Sequence, residues 1–224
     1  MLEISKLSYY YKSSKAPALK QISAQFNEGE VTAIVGPSGS GKTTLLSLLA
    51  GLDKPQSGVI LVHGKPLLEQ DVDQYRREQV AMIFQAYNLF PNLTVMENAC
   101  IPLELLGHKK SEAREVAASI LMSLGINEEK HDRFPSSLSG GEQQRVAIAR
   151  CLSSGAKIIL ADEPTGNLDK ANTRNILHIL KELAHRRKYC VIIVTHDMDV
   201  ADEADRVFTM EAGNLCESVQ DQEW

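Results

Sequence analysis

Val31-Thr32-Ala33-Ile34-Val35-Gly36-Pro37-Ser38-Gly39-Ser40-Gly41-Lys42-Thr43-Thr44-Leu45-Leu46-Ser47-Leu48-Leu49-Ala50 is the stretch on which the architecture of this chain turns. Its first five residues are an apolar, largely β-branched run, the signature of a buried strand. Thr44 to Ala50 reads as the opening turns of a helix. Between them, Gly36 to Thr43 fits the pattern G-x-x-x-x-G-K-[ST]. A strand, a glycine-rich turn and a helix in that order form a phosphate-binding loop. The glycines let backbone N–H groups turn inward around phosphate oxygens, and the helix start adds a partial charge of about +0.5. Lys42 supplies a mobile cation, and the Thr43 hydroxyl can ligate Mg²⁺. The expected nucleotide-binding set is Gly36, Pro37, Ser38, Gly39, Ser40, Gly41, Lys42, Thr43 and Thr44.

Composition sets outer bounds. At 224 residues, with 43% hydrophobic and 24% charged residues, the chain is long enough for one large globular domain or two lobes sharing a core. A net charge of −5 offers no electrostatic case for nucleic acid or an anionic membrane. The basic clusters Arg76-Arg77, Lys109-Lys110 and Arg186-Arg187-Lys188 read as solvated helix ends. Cys100, Cys151, Cys190 and Cys216 are widely spaced and read as buried single thiols in a reducing compartment. No run approaches ~18 uninterrupted apolar residues, and the N-terminus lacks the apolar core of a secretory signal, so membrane contact would run through a partner.

Outward from the loop, Leu2 to Leu7 and Ile22 to Phe26 alternate apolar and polar residues. With Val59 to Val62 they predict a small antiparallel sheet. Val80 to Phe84 is a further strand that delivers Gln85 at its end. From Thr94 to Leu124 the pattern is helical, broken by Pro102 and Gly107, with Ala113, Val116, Ala117, Ile120, Leu121 and Leu124 on one face. No strand signal occurs between Ala86 and Ala156. The core resumes with Lys157 to Glu163, a helix from about Lys170 to Arg187, and a strand from Cys190 to Thr195 ending at His196. The tail from Glu217 to Trp224 is polar and reads as frayed. Strands alternating with helices predict an α/β fold with a mainly parallel sheet and its ligand at the carboxyl ends.

Those ends carry the phosphate loop, Gln85, Asp162, Glu163 and His196. Asp162 closes an apolar strand near the Mg²⁺ that Thr43 would ligate. Glu163 reaches one residue further and suits a base that polarises the attacking water. His196 is placed to bond the γ-phosphate or that water. Gln85 can reach Mg²⁺ or the water from the hinge into the helical insert. Tyr11 is a candidate for stacking on an adenine face, or an ordinary tyrosine at a strand end. A second glycine turn, Leu138-Ser139-Gly140-Gly141-Glu142-Gln143, opens a helix running to about Ser153. Ser139 and the N–H groups of Gly140 and Gly141 would make a second anion site, or are simply a capped helix start with no ligand. Two half-sites in one chain point to a head-to-tail pair with C₂ symmetry.

Across essentially its whole length the sequence resembles the ATP-binding subunits of ABC transporters. Leu138 to Gln143 looks like the family signature, and Gly36 to Thr43 like its Walker A loop. Gln85 matches the Q-loop, Ile158 to Glu163 the Walker B strand with its catalytic glutamate, Asn167-Leu168-Asp169 the D-loop and His196 the switch histidine. The resemblance also makes Tyr11 the adenine-stacking aromatic and adds Asp169 to the nucleotide site. It implies a P-loop NTPase core (1–86 and 156–224) with an antiparallel β subdomain and an inserted helical subdomain (87–155), ATP and Mg²⁺ as cofactors, and a homodimer closed by ATP. It further implies a peripheral position on the cytoplasmic face of the membrane.

Gly51 to Pro55, Glu163 to Asp169 and Asn88-Leu89-Phe90-Pro91 look like the branch containing MacB, LolD and FtsE, whose members work with permeases that export substrates or transmit force. In that branch, a groove near Tyr87, Asn88, Phe90 and Leu93 would receive the permease. The competing readings are an importer subunit, a non-transport ABC ATPase acting on DNA or ribosomes, and a small-molecule phosphotransferase. Only about fifty residues separate Gln85 from Leu138, too few for the long coiled coil usual in the second of these. The third would need an arginine-rich lid, and the sequence offers none.

Overall fold

The computed structural model describes residues 1–11 and 16–218. Strands β1 (Leu2–Tyr9) and β2 (Leu19–Phe26) precede β3 (Val31–Val35), the phosphate loop and helix α1 (Lys42–Leu49). Then come β4 (Ser57–Val62), β5 (Lys65–Pro66), α2 (Val72–Glu78) and β6 (Val80–Phe84). Three helices follow, α3 (Val95–Leu105), α4 (Lys110–Ser123) and α5 (Gly140–Ser153). The chain returns through β7 (Ile158–Asp162), α6 (Lys170–Arg187), β8 (Cys190–Thr195), α7 (Met198–Asp202), β9 (Arg206–Glu211) and β10 (Asn214–Ser218).

The strands form two sheets. The antiparallel sheet, in order β2-β1-β4-β5, is the one the alternating N-terminal pattern predicts. The larger sheet runs β10-β9-β3-β8-β7-β6, parallel except for β10. Both faces of its centre are covered, so the strands are apolar at nearly every position. The period of two sorts the side chains. Ile158 and Leu160 of β7 and Cys190, Ile192 and Val194 of β8 join α1 and the antiparallel sheet in one core. Ile159, Ala161, Val191 and Ile193 join α3 to α7 in the other. The carboxyl ends of β3, β6, β7 and β8 therefore share one edge, rigidly spaced by hydrogen-bonded ladders.

Several expectations are corrected. Pro102 does not break the helix; it lies inside α3, where burial of Val95, Met96, Ala99, Cys100 and Leu103 outweighs one missing N–H donor. Gly107, with φ of 88°, does separate α3 from α4. On α4, Ala113, Ala117, Leu121 and Leu124 are buried, but Val116 is 41% exposed because the apolar stripe is narrower than the periodicity suggests. Cys216 is exposed on β10, unlike Cys100, Cys151 and Cys190, which are buried. The hairpin β9–β10 was not expected; it extends the sheet beyond β3, and Glu217 and Ser218 pair with Phe208 and Val207 instead of fraying. The rest of the expected tail, 219–224, lies outside the described residues.

Candidate functional site

At that shared edge lies a cavity of about 730 Å³. It is lined by Tyr11, Ala16 to Ala18, Ser38, Gly39, Gly41 to Thr44, Gln85, Asp162, Glu163 and His196. Eleven of the residues singled out from the sequence thus meet in one place, from five separate parts of the chain.

The loop is shaped by two close approaches. A Cβ on Gly36 would sit 2.1 Å from the Met210 carbonyl oxygen of β9, and one on Gly41 would sit 2.6 Å from that of Ala18. Gly41 also has φ of 114° and serves as the N-cap of α1 with no side-chain cap. No acidic residue stands in the first turn of α1, so the N–H groups at its start face the cavity without an internal anion. The buried Lys42 donates from Nζ to the carbonyls of Gly36 (2.7 Å) and Pro37 (3.1 Å), arching over the loop. Ser40 is buried beneath it with a hydroxyl that has no hydrogen-bond partner among the described residues.

On the opposite wall, Thr43 Oγ1 donates to Asp162 Oδ1 at 3.3 Å. Burial, with the neighbouring Glu163 charge, raises the Asp162 carboxyl above its ordinary value against the opposing pull of Thr43 and Lys42. Glu163 follows in the left-handed region (φ 48°), a strained conformation of about 1–3 kcal/mol for a non-glycine residue. Its N–H donates to Val194, its Oε2 accepts from Thr195 Oγ1 (3.2 Å), and its Oε1 lies 2.8 Å from His196 Nδ1. The carboxylate only accepts, so Nδ1 carries the proton in that bond, and Nε2 is the ring's other nitrogen. Tyr11 stands at the cavity mouth with its hydroxyl 2.7 Å from Thr44 Oγ1 and its ring edge-on to Tyr9.

Gln85 lines the cavity and is tied across the sheet edge to Asn167: its Nε2 donates to Oδ1 (3.3 Å), and Asn167 Nδ2 donates to its carbonyl (3.0 Å). Tyr87 and Asn88 just beyond it are both left-handed, with φ of 61° and 50°. Arg150 of α5 holds them by donating to both carbonyls, and its guanidinium lies 5.9 Å from the Phe90 ring centroid. These links, with Thr195 on Glu163 and Ala16 to Ala18 on the cavity wall, were not found from the sequence, because no local pattern marks a partner eighty residues away.

The remaining predicted site residues lie elsewhere. Ser139 caps α5, Asp169 caps α6 by accepting from the Asn172 N–H at 2.8 Å, and neither lines the cavity. Nor do Gly140 and Gly141, whose nearest neighbours beyond their own helix are Tyr87, Leu168 and Asn172. Among the described residues no group of three His, Cys, Asp or Glu could hold a metal ion, so a divalent cation here would need oxygens beyond Thr43 and Asp162. Nucleotide phosphates are such oxygens, and the arched lysine and uncapped α1 start fit them.

Comparison with known proteins decides the family. The ABC transporter family model matches residues 19–166. The chain belongs to the ABC transporter family. It is 39% identical to the uncharacterized ABC transporter ATP-binding protein YclH of Bacillus subtilis, over 96% of this chain and 95% of that one. It is 42% identical to the macrolide export ATP-binding/permease protein MacB of Shewanella oneidensis, over 95% of this chain but only 33% of that protein. Among solved structures it resembles the dimeric bacterial ABC transporter cassette MJ0796, with a TM-score of 0.89 and 36% identity, covering 97% of this chain and 98% of that one. A second structure of that cassette, also dimeric, is of a post-hydrolysis state bound to ADP and Pi, with a TM-score of 0.89 at 35% identity. This ABC chain is accordingly an ATP-binding cassette and an ATPase with the P-loop NTPase fold. No described helix is long and apolar enough to cross a membrane.

Proposed function

We propose that two copies of this cassette close head to tail on two MgATP and drive a separate membrane permease from its cytoplasmic side. The observation that carries the reading is the separation just described. The cavity holds the phosphate loop, Gln85, Asp162, Glu163 and His196, while the Ser139-Gly140-Gly141 turn opens a different helix outside it. Each chain thus carries one substantial half-site and one isolated anion-binding turn, which a two-fold pairing would join. The dimeric cassette to which the chain is similar supports that arrangement.

In this reading the loop N–H groups and Lys42 bind the phosphates, and Tyr11 stacks on the adenine. Thr43, Asp162 and Gln85 hold Mg²⁺, which neutralises phosphate charge when bound. Glu163 polarises the attacking water, oriented by His196 and Thr195. Ser139, Gly140 and Gly141 meet the γ-phosphate held by the facing copy, and Asp169 lies at the same interface. Residues 87–155 act as the helical subdomain, swung by nucleotide state through the Gln85–Asn167 pair.

The permease side belongs to the same reading. An apolar groove of about 310 Å³ lies on this chain, and none of the expected docking residues Tyr87, Asn88, Phe90 and Leu93 lines it. Its walls include Leu52, Met82, Phe84, Pro102 and Leu105, with Arg76, Arg77 and Arg150 among the lining charges. Arg150 joins groove and loop, since it also holds the Tyr87 and Asn88 carbonyls. The similarity to MacB, a fused ATP-binding/permease protein, supports an export or force-transmitting role over import. The deciding experiment is Glu163→Gln with ATP. Static light scattering should show a stable dimer that the same variant with ADP does not form; a monomer under both conditions overturns the head-to-tail reading.

A further inference from the structure

Glycine turns at helix starts bind anions only if no internal anion stands against them, and the turn at α5 contains one. Glu142 reaches back so that Ser139 donates to its Oε2 from both N–H and O–H, each at 2.8 Å. The Glu142 N–H closes the capping box on Ser139 Oγ at 3.4 Å. A glutamine would make the same cap without charge. As glutamate, it puts a full negative charge beside the donors that a phosphate from the facing copy would use.

The structure answers that charge with Lys130, from the 3₁₀ turn Glu128–Lys130. Its Nζ lies 2.5 Å from Glu142 Oε1, and both side chains are largely sheltered, at 26% and 17% exposure. Two other helices among the described residues have a glutamate that reaches back to the N-cap backbone N–H, and they make the contrast. Glu97 caps α3 and Glu112 caps α4, and neither carboxylate forms an ion pair among the described residues. Among these three glutamates and the described residues, only Glu142 is held in a direct ion pair, while Arg114 acts on Glu97 from further away.

We propose that Lys130 is a positioning residue for the signature turn: through Oε1 it neutralises Glu142, whose Oε2 caps Ser139, so that the turn can receive the γ-phosphate of the facing copy without an uncompensated negative charge beside it. The inference rests on the head-to-tail reading and adds a charge requirement to it. It predicts a dependence between two positions that a packing role would not show.

The test uses the full chain in the Glu163→Gln background and reads, by light scattering, the ATP concentration that gives half-maximal dimer. Adding Lys130→Met should raise that concentration on the order of tenfold. Adding Glu142→Gln to the Lys130→Met chain should restore most of the loss, because the uncharged amide keeps the cap. Lys130→Arg should stay within about twofold of the parent, which guards against a Lys130→Met chain that simply folds poorly. If Lys130→Met dimerises like its parent, or if Glu142→Gln fails to restore it, the inference is overturned and Lys130 only pins the loop before α5. If the Glu163→Gln parent never dimerises with ATP, it is the head-to-tail reading that fails.

Discussion

Two glycine turns open helices in this molecule, and they are finished in opposite ways. At α1 the N-cap is Gly41, with no side-chain cap, no acid in the first turn and a lysine at the first helical position. At α5 the N-cap is Ser139, the capping box is complete, and the acid in the first turn is Glu142. The first turn leaves its donors open to an outside ligand at the expense of local helix stability. The second satisfies its donors internally and can stand alone until a phosphate arrives. On the proposed head-to-tail reading both designs are needed: one turn that binds nucleotide in the single chain, and one that stays folded without it.

The sharpest way to break this contrast is at Lys42. Lys42→Ala should lower ATP hydrolysis by at least ~100-fold, because on the proposed reading it removes the cation that binds the phosphates. Ser139→Ala should instead show its first cost in folding, about 1 kcal/mol from the lost cap, read as a lower thermal midpoint. Equal thermal losses for the two variants would erase the distinction.

A smaller effect separates the glycines themselves. Gly41→Ala forces a Cβ to 2.6 Å from the Ala18 backbone oxygen at a φ of 114°, and should cost about 1–3 kcal/mol in chemical denaturation. Gly140→Ala crowds the Tyr87 hydroxyl, at 2.7 Å, on a side chain that can move, and otherwise makes ordinary contact with Leu168 at 3.5 Å. It should stay within about 0.5 kcal/mol of the parent.

The smallest is a pH effect. The Lys130 ammonium, helped by the Ser139 N–H, lowers the Glu142 carboxyl from 4.5 to about 2. A depressed carboxyl stabilises the fold fully above its ordinary value and loses that contribution as pH falls toward the depressed one. Between pH 4.5 and 2, then, Glu142→Gln should flatten the acid dependence of the unfolding free energy, read by chemical denaturation, by on the order of 1 kcal/mol. An unchanged slope would mean that the pair contributes nothing to stability.

Much of this architecture is legible in the chain order because its causes are local. The apolar runs ending at Val35, Phe84, Asp162 and Thr195, and the turn Gly36–Thr43, depend on residues within a few positions of each other, so the parallel sheet and its functional edge can be read directly. Ser139 and Glu142 are likewise close enough for a capping box to be seen. The β9–β10 hairpin escaped because Arg206 to Glu211 is short, alternates on one face only, and owes its place to pairing with β3 across more than 170 positions.

The tertiary structure alone decided the rest. It set Asn167 against Gln85, Thr195 and His196 on Glu163, Arg150 under the Tyr87–Asn88 bend and Lys130 on Glu142. It also put the Ser139 turn outside the cavity of its own chain. Each is a contact between segments that sequence leaves independent, and only the folding of both cores around the central sheet fixes their distances.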